Sequence, residues 1–395
     1  MEDLIEDAKL RPILDSRGRI TLEAELSSSG IVARASAPSG KSRGRREVVA
    51  FPKGGWRTAL RVFSETVREA ILGHEVHDQE GFDSLLREID GTPNFAKIGG
   101  STAIALSMAL AKLGASLSEM PLYRYLGGIG PKGLPRPVGN VIGGGAHTIG
   151  GPTIQEFLVI PEEESFLASA IRAAEVHARI PDLVRGRKGP IHLGVNDERA
   201  WAAPVDDREA LSILREVAGE MKIGVDAAAS QFFDGKRYEF MGKRLDPEDY
   251  VVELGSLVEE FGVFYLEDPA AEDDIDSFRA IVRAHPRVLV VGDDLFTTSP
   301  ARIRELGPEG VARAVLIKPN QIGTVTDTLS AVAEGRRWGM EPVVSHRSGE
   351  TCEEFIAHLA VAVGARFIKT GVVGGERTAK LNELIRIEEG LGAKS

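Results

Sequence analysis

The chain has 395 residues, 43% hydrophobic and 27% charged, with a formal net charge of −11 and a single cysteine. That length implies two to three domains, and the acidic balance disfavours nucleic acid and membrane surfaces as partners. Lone Cys352 excludes an internal disulfide, and the acidic start MEDLIEDAKL lacks the basic and apolar parts of a secretory signal, so a cytoplasmic location is expected.

Residues 20–36 form short β runs around a turn at Ser28, Ser29 and Gly30, which reads as a hairpin. Residues 58–73, 80–89 and 101–118 then carry apolar positions at helical spacing. Strands followed by helices predict a small α+β domain. The stretch 101–118 is broken by Ser107, Lys112 and Ser116 and falls short of a membrane span. The segment 127–137 (GGIGPKGLPRP) is dense in Gly and Pro and marks a boundary, giving domains at 1–130 and 131–395.

Beyond it, short apolar runs recur near 153–160, 191–195, 222–226, 263–267, 288–292, 313–317, 341–344 and 366–369, most followed by an amphipathic stretch. Eight such units suit a (β/α)8 barrel of about 250 residues, although an open doubly wound sheet shares the periodicity. The run ends favour the barrel. They carry Asp226, Glu267, Asp293, Lys318, His346 and Lys369, with Glu156 and Glu198 in or just past the first two runs. Charged groups on many different strand ends converge only where the sheet closes on itself.

Asp226, Glu267 and Asp293 on three successive strands offer an all-oxygen site for a hard divalent ion such as Mg²⁺. Lys318 and Lys369 each follow an apolar Ile. They are either ion-pair partners or buried amines whose pKa is lowered by desolvation and nearby cations, which would make one a usable base. His346, Arg347 and Ser348 offer a guanidinium fork and a hydroxyl to a phosphate or carboxylate. The glycines of 143–151 (GGGAHTIGG) read as hinges of a loop carrying His147. His74 and His77 read as surface, and His177, His192, His285 and His358 have no convincing partners.

The chain resembles the enolase family through DSRG (15–18), APSG (37–40), PLYRYLGG (121–128), QEF (155–157), EDP (267–269), GDDLF (292–296), IKPNQIGT (317–324), SHRSGET (345–351), IKTG (368–371) and RIEE (386–389). The resemblance implies an α/β protein, with an N-terminal α+β capping domain and a C-terminal (β/α)8-type barrel. It implies Mg²⁺-dependent dehydration of 2-phospho-D-glycerate to phosphoenolpyruvate, a hydro-lyase reaction, in an enzyme that is at least a dimer. Asp226, Glu267 and Asp293 would hold the first Mg²⁺, and Ser39 would help hold a second that arrives with substrate. Lys318 would be the base, and Glu198 the acid with Glu156 beside it. Lys369 would bind the carboxylate, Arg347 and Ser348 the phosphate, and His147 would close over the site with its loop.

Several loop positions depart from the family pattern: Arg199, Ala200 and Trp201 after Glu198; Lys41, Arg43, Arg45 and Arg46 in the first loop; Gly143; and the shortened VVGGER run around Gly374 and Gly375. These leave open a sister enzyme for a related phospho- or phosphono-carboxylate, and a non-catalytic binding or structural protein on the same scaffold.

Overall fold

Alternation of apolar and polar residues near the N-terminus produces a three-stranded antiparallel sheet of β1 (Asp7–Leu14), β2 (Ile20–Ser28) and β3 (Ile31–Ser36). The computed structural model describes residues 3–41, 44–129, 133–148 and 150–392; Arg43 of the altered loop lies outside them. The expected hairpin is β2–β3, whose two-residue turn places Ser29 and Gly30 at φ +50° and +76°. Strand β1 was not expected; its Pro12 is tolerated because β1 is an edge strand. The turn into β2 is the DSRG run, where Asp15 Oδ1 accepts from the amides of Arg17 and Arg19, both at 2.9 Å.

The three expected helices are present, over 56–71 (with a π turn at Phe63–Val67), Gln79–Asp90 and Gly100–Leu117. Asp78 caps the second by accepting from Gly81 N, and Gly91 ends it in the left-handed region. Helix Gly100–Leu117 is long and apolar enough to cross a membrane, but 83% of it is buried, packed on β2, β3 and helix Leu122–Gly127. Its apolarity serves the core of the capping layer. Gly127 is where that layer meets the barrel: a Cβ there would stand 2.4 Å from the Ala362 carbonyl oxygen.

The barrel closes through eight strands in the order β4 (Arg136–Gly143), β5 (Glu156–Ile160), β8 (Lys222–Asp226), β11 (Val263–Glu267), β12 (Leu289–Gly292), β13 (Ala314–Ile317), β14 (Glu341–Ser345) and β15 (Phe367–Lys369), with β15 pairing back onto β4. The barrel departs from the sequence expectation in two places. The run 191–195 yields only β6 (Gly194–Val195), which pairs with β7 (Trp201–Ala202) outside the barrel wall. The true first strand, RPVGNVIG, lay hidden because its Pro and glycines read as breakers next to the boundary. The small ribbon β9 (Tyr238–Phe240) and β10 (Lys243–Leu245) stands apart.

The second correction concerns direction. Strand β5 runs antiparallel to both β4 and β8, whereas the other wall pairs are parallel. Glu156 therefore begins its strand and still lies level with Asp226, at the rim where the other strands end. The helix expected over 165–180 extends over Phe166–Lys188, continuing through Pro181.

Below the rim the barrel is filled by Val138, Leu158, Ile160, Tyr265, Leu289, Val291, Ala314, Leu316, Val343 and Phe367, a cluster separate from the layer between strands and helices. Burying each of the larger side chains contributes roughly 1.5–3 kcal/mol, so this plug stiffens the platform that carries the charged rim.

In the N-terminal sheet Glu25 accepts from Lys9 (3.0 Å), Arg11 (2.7 Å) and Arg34 (2.6 Å), which lowers its pKa to about 2 through the Arg11, Arg34 and Lys9 hydrogen bonds. A depressed carboxylate stabilises the fold above its unfolded pKa and loses that contribution as pH falls through the folded value. Glu25→Gln is expected to cost about 1–2 kcal/mol at pH 7, after discounting for the exposed cations. Denaturant titrations should show the gap to wild type closing as pH falls from about 4.5 towards 2.

Candidate active site

Ten of the twelve expected site residues line one cavity of ≈30 Å³ at the rim: His147, Glu156, Glu198, Asp226, Asp293, Lys318, His346, Arg347, Ser348 and Lys369. Glu267 lies against it through Lys369. Ser39 stands aside: its Oγ donates to Asp15 Oδ2 (2.6 Å) and accepts from Arg17 Nη2 (2.8 Å), and its successor Gly40 is the first-loop residue at the cavity.

The centre is Lys369. Its Nζ lies 3.0 Å from Glu156 Oε2, 3.1 Å from Asp226 Oδ2 and 2.9 Å from Glu267 Oε1, with every partner buried. Burial opposes the charge, but Asp226, Glu156 and Glu267 outweigh it and raise the amine well above the ordinary lysine range. Glu267 is pushed up to about 8 by burial and by the charge of Asp226. Tyr265, from the barrel plug, donates to its Oε2 at 2.7 Å.

Lys318 is bonded to Asp293 Oδ2, while Gln321 donates to Asp293 Oδ1 at 3.0 Å. Of the two readings open for Lys318, ion-pair partner or lowered amine, this arrangement shows the ion pair. Burial does lower the amine's pKa, but the Asp293 contact overcomes burial and raises it. Asp293 is aimed by Asp268, whose oxygens accept from the amides of Asp293 and Asp294, each at 2.8 Å, with Asp268 itself at φ +38°.

Across the cavity, Asn140 donates to Glu198 Oε2 at 3.1 Å, His346 Nε2 stands 3.7 Å from the same oxygen, and His147 Nδ1 stands 3.9 Å from Oε1. Glu156 and Glu198 each bring an oxygen within 4.8 Å of the other and of His147. Burial and the charge of Glu198 drive Glu156 well above the usual carboxylate range. Burial also acts on Glu198, but His346, His147, Arg377 and Lys369 outweigh it and hold that carboxyl low. Two like charges this close in a dry site disfavour each other, and the opposite shifts leave the proton on Glu156 and Glu198 ionised.

Arg347 forks onto Glu47, Nη1 to Oε2 at 3.0 Å and Nη2 to Oε1 at 2.9 Å, and reaches Asn320 at 3.0 Å. Ser348 Oγ accepts from the Lys41 amide at 2.8 Å. The first loop of the cap therefore lies directly on the Arg347–Ser348 edge.

The sequence reading missed Asn140, Asp268 and Glu47. Asn140 sat in the strand mistaken for a linker. Asp268 was legible as the second acid of the EDP run, but its task depends on a backbone conformation no spacing reveals. His177 was read as unpartnered, and the structure corrects this. Its Nε2 bonds the Arg199 carbonyl at 2.8 Å, its ring stacks on Trp201, and Trp201 Nε1 donates back to the His177 carbonyl at 2.9 Å.

Comparison with known proteins matches residues 5–126 to "Enolase, N-terminal domain" and residues 131–395 to "Enolase, C-terminal TIM barrel domain". The chain belongs to the enolase family. It is 46% identical to the enolase of Thermoplasma acidophilum over 98% of this chain and 99% of that one. It is 43% identical to the enolase of Picrophilus torridus (98% and 99% covered) and 44% identical to that of Archaeoglobus fulgidus (98% and 97% covered).

Enolase membership implies dependence on Mg²⁺, and the residues at the rim fit such an ion. Asp226, Glu267 and Asp293 supply only hard carboxylate oxygens. Burial and the charge of Asp226 disfavour the ionised form of Glu267, and a divalent cation among these carboxylates would favour it. In this arrangement two lysines balance their charge. Millimolar Mg²⁺ should raise the thermal unfolding temperature of the wild type, with about 2.7 kcal/mol of stabilisation at a hundredfold excess over Kd. Glu267→Gln should shift that titration to clearly higher Mg²⁺, read by differential scanning fluorimetry; an unchanged titration would remove Glu267 from the ligand set.

Proposed function

We propose that this enzyme is a phosphopyruvate hydratase, converting 2-phospho-D-glycerate to phosphoenolpyruvate in glycolysis and gluconeogenesis, with Lys318 as base and Glu198 as acid. The observation that carries the reading is one small cavity that holds Lys318 against Asp293 and Glu198 against His147 and His346, with Lys369 and Glu156, 3.0 Å apart, among them. Removing a proton next to a carboxylate and expelling a neighbouring hydroxyl needs a base and an acid at separate positions around the substrate.

Asp226, Glu267 and Asp293 would hold one Mg²⁺, and Ser39, once released from Asp15 and Arg17, would help hold a second that arrives with substrate. When bound, the ions supply positive charge against the substrate carboxylate as the neighbouring carbon loses its proton. Asp293 cannot serve Lys318 and a cation equally. Freed from Asp293, and with Glu267 likewise engaged by the cation, Lys318 would keep burial and the nearby Arg347 and Lys369, all of which lower its pKa, and become able to accept a proton. Lys369 stays charged and binds the carboxylate. Arg347 and Ser348 bind the phosphate once Glu47 yields the guanidinium fork. Glu198 delivers a proton to the departing hydroxyl after receiving it from protonated Glu156 beside it, and His147 shields the site with its glycine-hinged loop.

The altered loops support the same substrate rather than a sister phospho- or phosphono-carboxylate. Arg199 reaches out to Glu376 at 3.8 Å and Trp201 turns onto His177, so neither lines the cavity. Lys41 lies 3.5 Å from Asp197, while Arg45 and Arg46 bind Asp273 at 3.1 and 2.8 Å on the outer side of the loop. At Gly143 a Cβ would strike Asn196 Nδ2 at 2.1 Å, and Asn196 is the side chain that holds the amides of Glu198 and Ala200. The presence of the whole charged set speaks against a non-catalytic scaffold. The division into a cap (1–130) and a barrel (131–395), a cytoplasmic location and a homo-oligomeric assembly belong to the same reading.

Purified protein with Mg²⁺ and 2-phosphoglycerate should form phosphoenolpyruvate, followed by its ultraviolet absorbance. Lys318→Ala should abolish exchange of the C2 proton with solvent. Glu198→Gln should lower dehydration by about 10²–10⁴-fold while exchange persists. Full turnover in both variants would refute the assigned roles.

A further inference from the structure

Arg377 takes no part in the mechanism above, yet it is completely buried. Its four terminal N–H groups are all used. Nη1 reaches His346 Nδ1 at 2.8 Å and the Arg347 carbonyl at 2.6 Å, and Nη2 reaches the carbonyls of Asp197 at 3.1 Å and Ser348 at 2.8 Å. The nearest carboxylate contact is long, 3.6 Å from Nε to Glu376 Oε1. A buried guanidinium is costly when no carboxylate pairs closely with it. Here every bond it makes goes to the two segments that frame one corner of the site.

We propose that Arg377 is a positioning residue for the acid half of the reaction: it fixes the tautomer of His346 and ties the loop bearing Glu198 to the His346–Ser348 segment. The first part follows from donor chemistry. A guanidinium has only N–H donors and does not deprotonate in proteins, so His346 Nδ1 must be the acceptor. The ring proton then sits on Nε2. That atom makes no hydrogen bond among the described residues, is buried, and lies 3.7 Å from Glu198 Oε2 at the cavity. His346 is thus a neutral donor aimed where the departing hydroxyl would lie.

The second part is the bond to the Asp197 carbonyl, one residue from Glu198. Gly371, at φ +76°, leaves room for the pair: a Cβ there would lie 3.2 Å from Arg377 Cδ and 3.4 Å from His346 Cε1. The shortened run after IKTG, a departure in sequence, is the segment that delivers this arginine. The groups around His346 act consistently. Burial, Arg377, Lys369 and Lys380 disfavour its charged form, and Glu198 favours it.

The inference deepens the hydratase reading and rests on it for the reaction, but the tautomer can be tested without turnover. Long-range ¹H–¹⁵N spectra of metal-free, ¹⁵N-histidine-labelled protein should show one ring, assigned by its loss in His346→Asn, protonated on Nε2 alone and staying neutral well below the ordinary histidine pKa of about 6.5. In Arg377→Met that ring should lose its fixed tautomer and show both Nδ1–H and Nε2–H forms. With Mg²⁺ and 2-phosphoglycerate, Arg377→Met should lose about 100-fold in dehydration while C2 exchange changes less than about threefold. If Arg377→Met does not fold, Arg377→Lys, which keeps the charge on a single donor nitrogen, should retain the tautomer, keep exchange and lose about tenfold in dehydration. A wild-type ring protonated on Nδ1, or variants that lose exchange and dehydration in step, would overturn the proposal. A correct tautomer in a wild type without turnover would overturn the hydratase reading instead.

Discussion

The site is organised around one buried ammonium group, Lys369 Nζ, held by Glu156, Asp226 and Glu267 on three neighbouring strands. Each of these charges loses several kcal/mol of hydration on burial, so the cluster persists only because the geometry lets opposite charges meet. That geometry depends on barrel closure. Lys369 ends β15, which pairs with β4, and its carboxylates come from β5, β8 and β11 on the opposite flank. An open sheet would hold these groups along an edge and leave the charges unpaired.

The reversed β5 is what completes the cluster. Glu156 opens its strand rather than closing it, yet the register sets it opposite Asp226 and Gly143. Beneath the charges the apolar plug excludes water and rests them on close-packed side chains. Asp268 and Tyr265 work from this level: one orients Asp293 through backbone amides, the other occupies an oxygen of Glu267. The rim is therefore charged above and apolar below, and its polar contacts are short because little can move.

The capping layer contributes differently. The DSRG turn uses Asp15 to hold its own amides and also Ser39, so the start of the first loop is tied to the sheet. From there the loop lays Lys41 and Glu47 on the Ser348–Arg347 edge and fastens its outer arginines to Asp273. The contacts that hold this loop down are ion pairs and hydrogen bonds rather than apolar packing. Such contacts can be exchanged for those of an anionic ligand without disturbing the core.

Much of this was legible in the chain itself. Three carboxylates and two lysines at the ends of apolar runs declared a charged barrel rim, because β periodicity and strand ends are local properties. Ordered motifs from DSRG to RIEE declared the family. What remained hidden involved partners far apart in sequence. Strand β4 looked like a linker because Pro137 and Gly139 break local patterns, and only its pairing with β5 and β15 makes it a strand. The direction of β5 left no trace in composition. The sequence left Lys318 either an ion-pair partner or a buried amine of lowered pKa, and could not show that Asp293 raises it. It showed His177, His346 and Arg377 without their partners, which lie 22 to 31 residues away for His177 and Arg199 and for Arg377 and His346. The sequence by itself determined which charged groups exist and which local elements carry them. Tertiary structure alone decided which of them touch, and with that which holds the proton, because charge–charge energies depend on distances set by barrel closure.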